Sequence, residues 1–200
     1  MLAEWSAACA SDDPVLVVPW SSAESSGYSG ADCRFIDLRQ NPYDLDLIPE
    51  AEQHPALLHA LRALNAGRSP FFTAKCDVWA LDEDERAALR LELDLPEHET
   101  SHGMASYIDL IARDRTTFAS FHHMELLLER LCRRAESLPH PLAQLDCVLR
   151  PALLDLTGPQ EGFAFSLYVK ALGHDEEAAH TQWAEALTAV CALLRSRELA

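Results

Sequence analysis

A chain of 200 residues, 48% hydrophobic and 24% charged, can bury one sizeable core, and that composition excludes intrinsic disorder. Sixteen Lys+Arg against thirty-two Asp+Glu leave a formal charge of −16, which excludes nucleic acid and anionic membrane surfaces as partners because both need a cationic footprint. No apolar run approaches the ~20 residues that span a bilayer.

The first twenty residues, MLAEWSAACASDDPVLVVPW, have neither the basic start nor the long apolar stretch of a secretory signal. The expected compartment is therefore the cytoplasm. Six scattered cysteines with no Cys-x-x-Cys pair suit that setting as buried small residues or free thiols. Residues 1–30 are expected to form an N-terminal arm and a Ser-rich loop. Within them, 1–14 reads as a weak helix or loose segment and 15–18 as a short strand stopped by Pro19. The loop at 21–30 contains no Lys and is not a phosphate-cradling P-loop.

Residues 31–200 are expected to form a single α+β domain. CRFIDLR at 33–39 alternates as a strand, with Phe35 and Asp37 on one face. A helix follows at 55–66. Pro55 suits its first turn, Leu57, Leu58, Leu61 and Leu64 form its stripe, and Gly67 is placed for a left-handed C-cap. The next strand, 71–81, alternates so that Phe72, Ala74, Cys76 and Val78 share one face and Thr73, Lys75, Asp77 and Trp79 the other.

A short helix with acids in its first turn is predicted within 82–95, then a polar connector at 96–103. Residues 105–113 form a strand and 118–138 an amphipathic helix with Met124, Leu128, Leu131 and Ala135 on its stripe. Strands at 145–153 and 163–172 flank a turn at 157–162. The last helix, 175–197, carries Ala179, Trp183, Ala186, Leu187, Val190 and Leu194 on one side.

FIDLR at 35–39 is similar to YIDLI at 107–111, and each is followed by a helix and a strand holding KCDVW or DCVLR. Units 33–81 and 105–153 therefore predict a duplicated βαβ, ferredoxin-like sheet of about five strands. Helices 55–66, 118–138 and 175–197 would cover one face. The other face would carry Asp37, Lys75, Asp77, Trp79, Tyr107 and Asp109, and the last two strands would add either Arg150 with Tyr168 and Lys170 or their alternate neighbours. These residues are the ligand or interface candidates. Aromatic groups left wet on a sheet favour self-association, so a homo-oligomer is expected. A small-molecule site on the polar groups is the alternative.

One motif suggests a reaction. His98-Glu99-Thr100-Ser101-His102 fits H-E-x-x-H and resembles the spacing of zinc peptidases, in which two imidazoles on one helix face hold the metal and Glu acts as base. The resemblance implies a zinc-dependent hydrolase with His98, His102 and Glu125 as ligands, Glu129 being the other candidate third ligand in a gluzincin-like arrangement. The residues read without it give an exposed connector and no cofactor. Pro96 and Gly103 bracket the segment, and Thr100 and Ser101 deny a helix any apolar face to pack. Neither a G-x-S-x-G elbow nor a G-x-G-x-x-G turn occurs.

Overall fold

In the computed structural model, which describes residues 1–20, 34–96, 100–196 and 199, the backbone lays down a mixed six-stranded sheet and six α-helices. The strands are β1 (Leu2–Ala7), β2 (Leu16–Val18), β3 (Phe71–Ala80), β4 (His102–Ala112), β5 (Ala143–Leu154) and β6 (Gln160–Gly173). The helices are α1 (Pro49–Gln53), α2 (Pro55–Asn65), α3 (Glu83–Glu92), α4 (Arg115–Phe118), α5 (Phe121–Ala135) and α6 (Glu176–Leu194). A 3-10 turn at Pro42–Leu47 precedes α1.

The strand order is β1-β5-β6-β4-β3. From β5 through β6 and β4 to β3 every neighbour is antiparallel, whereas β1 and β2 lie parallel to β5. Residues 2–7 pair with 144–149 and residues 16–18 with 152–154, so both short strands share one edge of β5. The N-terminal segment expected as an arm is thus part of the sheet. Its alternation is only six residues long: Ala3 is buried while Glu4 and Ser6 are exposed. A signal that short is equally compatible with a loose turn of helix.

This order does not carry the duplicated βαβ arrangement. Among the described residues the first strand of the first unit is missing: Arg34 makes only an isolated bridge and residues 38–40 turn. The cause is Asp37. Its carboxylate accepts from the Arg39 backbone N–H, from Arg39 Nε and Nη2 and from Gln40 Nε2, while its carbonyl accepts from the N–H groups of Gln40 and Asn41. Local bonding of this kind offers the backbone an alternative to a ladder, and here it overrides the period-two pattern. One crossover survives. Strands β4 and β5, joined through α5, are both antiparallel to β6, which is inserted between them.

Helices α2, α6 and α5 lie side by side on one face, against β3, against β4 and β6, and against β1 and β5 respectively. Trp183 of α6 is wholly buried, and its indole N–H donates to Ser106 Oγ at 2.9 Å. That bond fixes Ser106, and by alternation Met104, Ile108 and Leu110, on the helix side. Helix α5 begins at Phe121, three residues later than the expected start at 118, because Ser120 caps it by accepting from the His123 N–H. Helix α2 ends without a left-handed glycine. Asn65 Nδ2 donates to the Leu61 carbonyl at 2.8 Å, and the Arg113 guanidinium donates to the Asn65 carbonyl at 3.0 Å.

Candidate functional site

The second face of the sheet is defined by cross-strand register. One row runs Asp77, Tyr107, Tyr168, Asp146, Glu4 through β3, β4, β6, β5 and β1. The adjacent row toward α3 holds Trp79, Ala105, Lys170 and Gln144. On the other side of the central row lie Asp109, Ser166 and Val148, and one step farther Arg150 pairs with Ala164. Sequence alternation therefore places Asp77, Trp79, Tyr107, Asp109 and Arg150 on a common face.

The face of β3 is divided by a bulge. Its register shifts between Thr73 and Cys76, so Phe72 sits opposite Ile111 on the second face while Thr73 and Cys76 sit opposite Leu110 and Ile108 on the helix side. Uniform alternation puts Phe72 with Cys76; the extra residue corrects that. Lys75 lies within the bulge, with its ammonium 5.3 Å from the centre of the Trp20 ring. Trp20 Nε1 donates to the Ala74 carbonyl at 2.8 Å, which ties residue 20 to the bulge.

At the centre, Asp109 is only 5% exposed and accepts a hydrogen bond from Ser166 Oγ. Burial pushes its carboxyl above the ordinary aspartate value, against the opposing pulls of the Ser166 bond, Arg150 and Lys75. Arg150 Nε is buried and finds no acceptor among the described residues. Three rings cross the strands as a ladder, Trp79 to Tyr107 at 6.4 Å and Tyr107 to Tyr168 at 5.8 Å between centroids. Burial, with Asp109 and Asp77 nearby, raises the Tyr107 phenol, so it stays protonated. Lys170 Nζ pairs with Asp146 at 2.8 Å beside the ladder. Cys76 faces the helix side, and burial pushes its thiol up to about 12; it is no thiolate nucleophile at neutral pH.

Helix α3 closes one end of this face, where Leu81 and Leu89 pack on Ala105 and Leu172. Trp79 Nε1 donates to Glu85 at 3.2 Å, and Gln144 Nε2 to Glu92 at 2.6 Å. At the other end stands Asp37, on its turn and not on a strand. Its carboxyl is held below the usual aspartate range by the hydrogen bond from Arg39, whose guanidinium lies 4.4 Å from the centre of the Phe72 ring. Asp37 therefore stands off the strands that carry the other candidates.

Of the proposed metal ligands, His102 and Glu125 lie among the described residues. His98 and Glu99 fall outside the described residues. His102 is the first residue of β4, exposed, with Nδ1 2.9 Å from Ser101 Oγ, so the end of the motif is extended and not helical. Glu125 on α5 lies 3.2 Å from His122 Nδ1. Among the described residues no three His, Cys, Asp or Glu side chains converge on a metal position.

Ser166, Asp146 and Trp20 escaped the sequence reading. The first two share the alternation of Tyr168 and Arg150, but only the insertion of β6 between β4 and β5 sets Ser166 against Asp109 and Asp146 against Tyr168. For Trp20 the available signal was an indole beside a strand-stopping Pro19. Comparison with protein-family models, with curated proteins and with solved structures returns no match.

Proposed function

We propose that the protein is a binding module that pairs with a second copy of itself through the face of the sheet opposite α2, α5 and α6. The observation that carries this reading is the charge balance of that face. The chain holds −16 overall and has just two lysines, Lys75 and Lys170. Lys170 stands on this face, with Arg150, among Glu4, Asp77, Asp109 and Asp146, and Lys75, in the bulge of β3, is near enough to pull the Asp109 carboxyl down. A two-fold contact sets a patch against its own copy, so the patch complements itself only if it holds both signs. The half-buried rings of Trp79, Tyr107 and Tyr168 are the residue types that anchor interfaces, and the exposed Lys75, Asp77 and Glu4 supply a polar rim.

A cytoplasmic setting belongs to the same reading, supported by the free thiols of Cys9, Cys76, Cys132, Cys147 and Cys191. No helix among the described residues is long and apolar enough to cross a membrane.

The test is mass against concentration by analytical ultracentrifugation. A species of twice 22.2 kDa is expected to build up with concentration and to weaken in high salt. Lys75→Glu should loosen the pair about tenfold by placing like charges together. A single-chain mass at every concentration overturns the proposal, as does a dimer indifferent to both salt and Lys75→Glu.

A further inference from the structure

Two cavities adjoin at the end of the sheet where β3 begins and β4 ends. One, of about 240 Å³, is rimmed by Arg39, Arg113, Arg115, Thr157 and Gln160, over an apolar wall that includes Phe72. The other, of about 270 Å³, shares Arg39 and Arg113, adds Arg62 and is backed by Leu45 and Leu61. Among the described residues no carboxylate lines either cavity. In a chain with twice as many acids as bases, such a cluster of guanidinium groups is a local reversal of sign.

The arginines are held in place with donors to spare. Arg39 gives Nε and Nη2 to Asp37 at 2.8 and 2.7 Å. Arg113 gives Nε to the Phe71 carbonyl and Nη2 to the Asn65 carbonyl, both at 3.0 Å. Each is thus fixed along one edge, and its Nη1 has no acceptor among the described residues. Arg115 is exposed, and no hydrogen bond or ion pair engages its guanidinium among the described residues. The Arg39 and Arg113 guanidinium groups also sit over the same Phe72 ring, 4.4 and 5.8 Å from its centre.

Two cations on one ring repel. The Arg113 guanidinium is pushed below its ordinary value first by burial and then by Arg39, with Asp37 opposing. An anion seated between them removes that repulsion and supplies the missing acceptors. The wall beneath is apolar, with Phe118, Leu154 and Leu156 beside Phe72, so a bare inorganic ion leaves it unused.

We propose that the cavity rimmed by Arg39, Arg113 and Arg115 binds a small organic anion, its carboxylate or phosphate head on the guanidinium groups and its apolar body against the half-buried Leu154 and Leu156. The inference goes beyond self-association and does not depend on it, because the central row of the sheet is not among the lining residues.

Isothermal titration of the full chain with phenyl phosphate, phenylacetate, inorganic phosphate and benzyl alcohol tests it. One of the two aryl anions is expected to bind at one site per chain, more tightly than inorganic phosphate or the neutral alcohol. The tighter of the two identifies the head group. Arg115→Gln, at an exposed position without a structural partner, should keep the parent melting temperature and bind about tenfold more weakly. Arg39→Gln should weaken binding at least as much. The proposal is overturned by absence of binding with both aryl anions, by equal affinity for inorganic phosphate, or by unchanged affinity in both variants.

Discussion

Asp109 shows what a carboxylate does when a sheet closes around it. Its folded-state value is raised above the ordinary 3.8, so the native protein holds this proton more firmly than the unfolded chain. Stability linked to Asp109 is therefore fully present below the unfolded value and is lost as pH rises through the window up to the raised native value. Asp109→Asn keeps an acceptor for Ser166 and removes the titration. In urea melts across pH, the variant should be more stable than the parent at neutral pH, and the difference should vanish below the ordinary aspartate value. A parent curve that rises with pH in that window where the variant's is flat would show that Lys75 and Arg150 outweigh burial.

Elements with redundant signals were legible from the sequence, and those resting on one signal were not. Helix α3 carries a reciprocal capping box, Asp82 accepting from the Glu85 N–H and Glu85 from the Asp82 N–H, and it lies where its acids predicted it. Helices α2 and α6 and strands β4, β5 and β6 were found within a few residues because their periodicity runs long. The segment at 33–39 had alternation alone and lost to the bonds of Asp37. The bulge in β3 leaves no mark in composition, so alternation misplaces Phe72 and Thr73 while Cys76, Asp77, Val78 and Trp79 fall on their expected faces. Close packing between elements is likewise invisible in letters. At Gly173 an added Cβ would lie 2.2 Å from the Ala179 backbone nitrogen, so α6 lies directly on the end of β6. Gly173→Ala should cost about 2–3 kcal/mol, as overpacking against backbone does, measured by chemical denaturation.

At the scale of the whole molecule, charge is unevenly distributed. Residues 1–100 hold nineteen acids against seven bases, and residues 101–200 hold thirteen against nine. Much of the first excess sits in helix starts and connectors such as Glu50, Glu52 and 82–85, where it solvates the surface. The second face of the sheet and the arginine end lie outside that trend. The sheet's edges are also unequal. Val78 N–H on β3 is taken by its own neighbour, Asp77 Oδ1, at 2.8 Å. The edge of β5 is covered by β1 and β2, with the residue 1 amino group donating to the Leu138 carbonyl at 2.9 Å. Removing residues 1–18 should strip β5 of its cover. The expected result is concentration-dependent aggregation seen by light scattering, since an uncovered twelve-residue strand is a template for foreign pairing. A truncated protein that stays dispersed and keeps its melting temperature would contradict this.

The pairing of residues 2–7 with residues 144–149 also has a consequence in time. On a ribosome residues 2–7 emerge long before their partners, because β3 and β4 must both be synthesised before β5 exists. The β3–β4 and β5–β6 pairings join segments much nearer in sequence and face a smaller loop-closure cost. On loop-closure grounds β1 and β2 are therefore expected to dock late, and until they do the edge of β5 stays open to foreign pairing.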